Sequence, residues 1–331
     1  MKNTRLPMVY KAEELLDIAF RRAKKEARKV QIKNKSLRLK RAEERRVKES
    51  SEYITSYLTR LEKFEQQILD TSPFYQRLIE ISTDMEALAN SIERIDWAKK
   101  SIMKLESKSR RDIRMRTKDP VELRKEFYGK TASIIKKINS ELDFLREFTY
   151  SLKSFPDIKE GFTLVLAGMT NVGKSSILKS LTTSTPEIKP YPFTTKRLLV
   201  GYIKLGYRKI QVIDTPGILD RPFSKRNPIE KRAILAINDL ANMVIYVFDP
   251  SETCGYTLES QIDLYKEISD YFRKTIAIIN KKDISNTLAI DRVNKSLEYL
   301  PLQISTVTGE NLENLHEVVT LEYRKNGPEG I

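Results

Sequence analysis

Residues Gly168–Ser176 read GMTNVGKSS, between an apolar run, Phe162–Ala167, and a helix-like Ile177–Lys179. A strand, a glycine loop and a helix start in that order carry the pattern G-x-x-x-x-G-K-[ST]. Gly168 and Gly173 let the backbone curl until successive N–H groups face inward, and a helix beginning near Lys174 adds the positive end of its dipole. A polyphosphate fits such a cradle. The pattern assigns Lys174 to the β- and γ-phosphates as a point charge and the Ser175 hydroxyl to Mg²⁺. Asn171, Val172 and Ser176 complete the loop around the phosphates.

Downstream, the periodicity alternates between β and α. Tyr191–Thr195 (YPFTT) is a proline-bearing loop, and Leu198–Leu205 and Arg208–Ile213 read as a hairpin about Gly206. The second strand runs into Asp214, Thr215, Pro216, Gly217, where a carboxylate at a strand's carboxyl end can hold a Mg²⁺ water and Gly217 can offer its N–H to a γ-phosphate. Met243–Phe248, Thr275–Asn280 and Leu302–Ser305 are further strands separated by helix-like stretches, so the sheet is expected to be mostly parallel with its ligand at the carboxyl ends. The run Asn280, Lys281, Lys282, Asp283 follows one of them. A buried Asp283 carboxylate there accepts from guanine N1 and N2, which selects GTP over ATP by about 10⁴ to 10⁵. Ser305, Thr306 and Val307 are placed to offer backbone N–H groups to the guanine oxygen.

Upstream, the first half reads as helices. Leu16, Phe20, Ala23, Ala27 and Val30 form one stripe, and Ile54, Leu58, Leu61, Phe64 and Ile68 form another. Ser72 and Pro73 open what reads as one long helix with a narrow seam from Phe74 to Leu105, and Asp119, Pro120 and Glu122 open a last one that runs to Leu152. Narrow stripes must cover one another, so about four helices in an antiparallel bundle or coiled-coil hairpins are expected. Trp97 beside the seam is either a packing residue or a stacking platform for a base.

Of 60 Lys+Arg and 45 Asp+Glu, residues 1–160 hold 38 and 26, a net of +12, against 22 and 19, or +3, in the remainder. Residues 21–50 alone carry 14 basic and 4 acidic side chains, and Lys99–Lys118 carry 9 and 2. Each stretch is either a solvated helix face or a polyanion-binding surface. Arg28, Lys29, Lys33, Lys35, Arg38 and Lys40 are the candidates for RNA. No apolar run approaches the roughly eighteen residues that span a bilayer, and the start MKNTRLPMVY lacks a signal peptide's apolar core. The single Cys254 excludes an internal disulfide and suits a reducing cytoplasm.

The segments GMTNVGKS at Gly168, PFTT at Pro192–Thr195, DTPG at Asp214, NKKD at Asn280 and STVTGEN at Ser305 resemble, in order, the five signature segments of translation-factor-related GTPases of the Obg-like group. A lysine-rich helical domain ahead of them, with YPFTTK, resembles the Nog branch, the nucleolar G-proteins of large ribosomal subunit assembly. The resemblance implies Lys174, Thr195 and Gly217 in catalysis and Ser175 and Thr195 on Mg²⁺, with Asp214 acting through water. It also implies Asn280, Lys281 and Asp283 on guanine. Thr194 competes for the Thr195 role, and the match to FTT favours the second threonine. Asn171 either ligates K⁺, as in some relatives, or braces the loop. After DTPG stands Ile218, with no glutamine to orient water, so intrinsic turnover is expected to be slow. The chain stops soon after the last GTPase helix, as a compact archaeal-type member would.

The sequence thus predicts a basic helical domain over 1–155 and, over 156–331, an α/β P-loop GTPase domain with helices on both faces of the sheet. The expected function is a slowly hydrolysing assembly factor, with GTP or GDP and Mg²⁺, that binds large-subunit ribosomal RNA or its precursor particle and answers to an activating or exchange partner. The alternative is a structural RNA-binding protein that holds GTP without turnover. A membrane-remodelling GTPase is disfavoured, because no cationic helix presents bulky aromatics on its opposite face.

Overall fold

The computed structural model describes residues 7–115, 117–153, 155–158, 161–183, 185–191 and 197–327. Contacts divide the chain into two units, Lys2–Thr71 with Thr83–Lys153, and Ser72–Ser82 with Ser154–Ile331. The second unit therefore takes Ser72–Ser82 out of the half of the chain whose periodicity is helical throughout.

In the helical unit α1 (Ala12–Ala27) and α2 (Lys35–Glu62) are separate helices. Asn34 caps α2 by accepting the Leu37 N–H at 3.0 Å. Leu15, Leu16, Ala19, Ala23 and Ala27 are buried along α1, and Val47, Ile54, Leu58 and Leu61 along α2, as the two stripes require. The short α3 (Phe64–Leu69) buries Phe64 and Ile68. After α4 (Pro73–Ser82), which belongs to the other unit, α5 (Met85–Met115) packs along α2 and meets α6 (Pro120–Lys136) and α7 (Asn139–Lys153).

Both expected long helices are broken. The seam from Phe74 to Leu105 is interrupted after Ser82, where Asp84 accepts the Ala87 N–H at 3.0 Å and starts α5 afresh. Ser82, Thr83 and Asp84 are all cap-forming residues, but an apolar step from Ile81 to Met85 hides the break from a periodicity count. The last helix stops at Lys136, yet Ile138 in the gap is buried, so the stripe continues across it. Asp119 caps α6 as expected, accepting the Val121 and Glu122 N–H groups at 3.2 Å each.

The core of this unit around α2, α5 and α6 holds Val47, Ile113, Leu123 and Phe127. Two buried carboxylates on α2 lie near it. Glu43 takes Arg46 at 2.9 Å and Arg124 at 2.5 Å, and Glu44 takes Arg41 at 3.0 Å, Arg114 at 2.6 Å and Arg110 at 3.5 Å. Burial raises the Glu44 pKa, but the hydrogen bonds from Arg114 and Arg41 outweigh it and leave a net lowering.

In the second unit, β1 (Thr163–Ala167) and α8 (Lys174–Leu181) flank the glycine loop. There follow β2 (Glu187–Pro190), β3 (Arg197–Leu205), β4 (Arg208–Asp214), α9 (Pro228–Leu240), β5 (Met243–Phe248), α10 (Leu258–Tyr271), β6 (Thr275–Ile279), α11 (Thr287–Lys295), β7 (Leu302–Gln303) and α12 (Leu312–Asn326). The sheet order is β2-β3-β4-β1-β5-β6-β7, parallel from β4 through β7 and antiparallel at β2-β3-β4. The mostly parallel sheet is as expected. β2 is an addition: Pro186 and Pro190 argue against a strand there, and an edge position is where proline is tolerated. Helix α4 packs on α9, with Arg77 Nε 3.0 Å from Asp239 Oδ2. The Tyr75 hydroxyl meets the carbonyls of Pro156 at 2.8 Å and Ile158 at 3.1 Å, tying α4 to the segment that leads into β1.

Candidate nucleotide site

The carboxyl ends of β1, β4, β5 and β6 meet around the loop Gly168–Gly173. Gly168 (φ 131°) and Gly173 (φ 100°) take left-handed conformations, and a Cβ on Gly168 would lie 2.7 Å from the Val247 carbonyl oxygen. Neither position admits a side chain. Asn171 also has positive φ, at 64°, a conformation asparagine tolerates, and its side chain is exposed. Val172 is buried beneath the loop, and Ser175 and Ser176 are exposed at the start of α8.

Lys174 is buried, and its ammonium donates to the carbonyls of Gly168 at 2.8 Å and Met169 at 2.7 Å. Burial lowers its pKa, with Asp214 and Asp220 pulling the other way. The Ser175 hydroxyl donates to Asp214 Oδ2 at 2.5 Å, so two of the three residues that sequence assigns to Mg²⁺ are brought together. Asp214 is fully buried, and its Oδ1 has no hydrogen-bond partner among the described residues. Burial raises its pKa above the ordinary aspartate value, against the Ser175 hydrogen bond and the Lys174 charge. An orphaned carboxylate oxygen beside a hydroxyl fits the oxygen-only preference of Mg²⁺, which takes one or two protein groups beside phosphate and water. Among the described residues no group of three or more His, Cys, Asp or Glu forms a metal site.

Gly217 (φ 75°) follows Asp214 in the turn, and Ile218 is buried, its N–H on the Thr215 carbonyl at 3.0 Å. The Gly168 N–H donates to the Leu219 carbonyl at 3.1 Å, and the Thr170 hydroxyl donates to Asp220 Oδ2 at 3.3 Å. Thr194 and Thr195, the two candidates for the remaining Mg²⁺ ligand, lie outside the described residues together with Pro192 and Phe193.

On the base side, Asn280 is buried and joins two loops. Its Nδ2 donates to the Val172 carbonyl at 2.9 Å, and its Oδ1 accepts the Thr306 N–H at 3.2 Å. Asp283 is exposed, contrary to the buried carboxylate expected, because a one-turn 3₁₀ helix, Lys282–Ile284, lifts it outward. The N–H groups of Ser305 and Val307 are engaged by the Glu310 carbonyl and the Ser305 hydroxyl, each at 3.2 Å. With Thr306 on Asn280, all three N–H groups expected to meet guanine are turned onto the protein.

Sequence reasoning missed Asp249, which is fully buried at the end of β5 and 2.7 Å from the Lys281 ammonium. An apolar strand ending in an acid was the signal available. It also missed Arg226, buried over the Phe223 ring with Nη2 on the Arg221 carbonyl at 2.6 Å and with no hydrogen-bond partner for Nε and Nη1 among the described residues, for which a lone arginine in a loop gives no signal.

The RNA candidates lie in the helical unit. Every residue from Lys33 to Leu39 is exposed, and Arg28, Lys33, Lys35 and Arg38 carry no ion pair among the described residues. Lys29 is paired with Glu26 at 2.7 Å, and Lys40 donates to the Arg114 carbonyl at 2.6 Å. The second basic stretch is partly structural: Lys99 meets Glu62 at 2.5 Å, and Arg110 and Arg114 serve Glu44. Trp97 is 39% exposed, with the Arg94 guanidinium 5.1 Å from its ring centre. No helix among the described residues is long and apolar enough to cross a membrane.

Residues 4–159 match the NOG1 N-terminal helical domain, and residues 228–283 match the nucleolar GTP-binding protein 1 family. An uncharacterized protein of Methanocaldococcus jannaschii is 39% identical over 293 residues, 85% of this chain and 80% of that one. Nucleolar GTP-binding protein 1 of Saccharomyces cerevisiae is 32% identical over 324 residues, 95% of this chain and 50% of that one. The chain thus spans about half the length of the yeast proteins it matches. The G domain of the T. maritima iron transporter FeoB aligns over 49% of this chain and 98% of its own, at 27% identity and a TM-score of 0.41.

Proposed function

The chain belongs to the nucleolar GTP-binding protein 1 family, and from that membership and its site we propose that it binds and slowly hydrolyses GTP while its basic helices hold ribosomal RNA of the large subunit or its precursor. The observation that carries the nucleotide reading is the Ser175–Asp214 pair at 2.5 Å, with Asp214 Oδ1 left open beside a buried Lys174. Lys174 would exchange its two carbonyl partners for phosphate oxygens, the natural counter-charge for a buried ammonium. Ser175 and Asp214, with a switch threonine from Thr194–Thr195, would hold Mg²⁺, which when bound neutralises charge on the transferring phosphate. Gly217 would offer its N–H to the γ-phosphate, and Asp283 would accept from guanine.

Turnover is slow in this reading because the side chain after Gly217 is a buried isoleucine, so water must be positioned by backbone, ion or partner. Phosphate release by the full chain should fall well below about 1 s⁻¹ in Mg²⁺ and Na⁺. Stimulation by K⁺ that is lost in Asn171→Ala would assign the ion to the exposed loop asparagine; equal rates in K⁺ and Na⁺ would remove it. GTP binding with no release of phosphate would instead favour a structural protein that holds GTP, the reading to which the buried Ile218 lends weight. The single cysteine, Cys254, is buried and free, in keeping with a cytoplasmic setting.

For RNA, the supporting feature is the exposed run from Lys33 to Leu39, whose Lys33, Lys35 and Arg38 carry no ion pair among the described residues. Reversing charge at Arg28, Lys29, Lys33 and Lys35 should weaken binding to large-subunit RNA and flatten the slope of log affinity against log salt by about 0.7 to 0.9 per lost phosphate contact. An unaltered slope in a folded variant would move the RNA site elsewhere, first to the free cations of Lys99–Lys118.

A further inference from the structure

Lys281 has φ 59°, the left-handed conformation that a lysine adopts at a penalty, and it does so at the turn that delivers Asn280 and Asp283. Such a conformation persists only where its surroundings hold it. Its carbonyl is held by the Ile284 N–H at 3.1 Å and the Ser285 hydroxyl at 2.8 Å, and its ammonium by Asp249 Oδ2 at 2.7 Å and the Thr253 hydroxyl at 2.8 Å. The side chain therefore bridges the loop after β6 to the loop after β5.

Asp249 is built as a fixed post. Gln261 of α10, fully buried, brackets its main chain from both sides: Oε1 accepts the Asp249 N–H at 2.8 Å, and Nε2 donates to the Asp249 carbonyl at 3.0 Å. The carboxylate itself gathers the Ser251 hydroxyl, the Ser251 N–H at 3.1 Å, the Thr253 hydroxyl at 3.2 Å and the Cys254 N–H at 2.9 Å besides Lys281. Closing the loop after β5 needs only the bonds to Ser251, Thr253 and Cys254. The bond to Lys281 reaches 32 residues along the chain and fixes a different loop.

We propose that Asp249 is a positioning residue for guanine binding: by pinning the Lys281 ammonium it holds the strained turn that aims Asp283 and the remaining Asn280 N–H at the base. Resting on the guanine-nucleotide reading above, this adds the residue that sets the affinity of that subsite. Because Asp249 acts through Lys281, its effect on nucleotide binding exists only while the lysine is present.

The test is a double-mutant cycle on the full chain, with GDP and Mg²⁺ titrated into wild type, Asp249→Asn, Lys281→Met and the double variant, and folding checked by thermal melting. Asp249→Asn should weaken GDP binding by about tenfold or more, and in the Lys281→Met background it should change affinity by less than about twofold. GDP affinity unchanged in Asp249→Asn overturns the proposal, as does an equal loss with and without Lys281, which is the mark of a structural role. Should Asp249→Asn not fold, Thr253→Val removes the exposed hydroxyl on the same ammonium. It should weaken GDP a few-fold only when Lys281 is present, and no effect there overturns the proposal equally. Failure of the wild type to bind GDP would be a failure of the guanine reading itself, and the same titration reports it.

Discussion

Two aspartates stand at the carboxyl ends of β4 and β5, which flank β1 in one sheet, both fully buried, and they differ in what surrounds them. Asp249 after β5 receives donors from Ser251, Thr253, Cys254 and Lys281. Asp214 at the end of β4 receives the Ser175 hydroxyl on Oδ2, and its Oδ1 has no hydrogen-bond partner among the described residues. For Asp249, burial raises the pKa, but the hydrogen bonds from Lys281 and Ser251 outweigh it and the net shift is downward. For Asp214, burial prevails and the shift is upward. A carboxylate satisfied within the protein acts as a strut, and one with an open oxygen at a phosphate loop suits the ligand role proposed for Asp214.

Several substitutions can break or sharpen that contrast, beginning with a third carboxylate, the exposed Asp283. Asp283→Asn should reduce GDP affinity by about 10⁴-fold and shift preference to xanthosine nucleotides, whose altered edge suits an amide. Unchanged GDP affinity in a direct titration would remove Asp283 from the base site. Next comes stability: Asp249→Asn breaks a partly buried ion pair whose carboxylate is fully buried and should lower unfolding free energy by about 2 to 3 kcal/mol, measured by urea melts. Asp214→Asn should do the opposite in nucleotide-free protein, raising stability by about 1 kcal/mol, because it removes a buried charge with an unmet oxygen. Equal signs for the two variants would erase the distinction between strut and ligand.

Smaller but more diagnostic is the pH dependence of those two differences. Asp214 has a raised native pKa, so the folded state holds its proton more tightly than the unfolded chain does, and its penalty is present above that pKa and fades as pH falls through it. The gain from Asp214→Asn should therefore shrink on acidification at pH values above the ordinary aspartate range of about 3.9. Asp249 has a lowered native pKa, so its stabilisation is present above the unfolded value and is lost only as pH falls through the lower native value. The deficit of Asp249→Asn should persist to more acidic pH than the gain of Asp214→Asn. Parallel melts of both variants across pH 3 to 7, a window chosen around the carboxylate range of about 3.9 to 4.3, would read this directly.

How much of this was legible in sequence follows the range of the interactions. The phosphate loop, DTPG and the strands β1, β5 and β6 were readable because their signals are local: glycine at positions of positive φ and apolar runs of strand length. The meeting of Ser175 with Asp214 was readable too, since parallel topology brings the carboxyl ends of β1 and β4 together. The breaks at Ser82 and Lys136 were not, because apolar periodicity runs through both and only a cap or a tightened turn marks them. The exposure of Asp283 depends on a single 3₁₀ turn, and the role of Asp249 on a lysine 32 residues away. Nor could charge counting separate Arg110 and Arg114, which serve the buried Glu44, from Lys33 and Lys35, which carry no ion pair among the described residues. That difference exists only once α2 and α5 are packed.

The contrast between the two aspartates is tested most directly by the Mg²⁺ dependence of binding a nonhydrolysable GTP analogue, measured in the full chain and in Asp214→Asn and Asp249→Asn. Wild type should bind the analogue more tightly as Mg²⁺ is added. Asp214→Asn should lose most of that enhancement, a loss of about 10- to 100-fold in metal affinity for a group acting through bound water. Asp249→Asn should bind the analogue more weakly at every Mg²⁺ concentration while keeping the full enhancement. Mg²⁺ enhancement retained in Asp214→Asn, or lost in Asp249→Asn, would contradict the assignment of the two carboxylates.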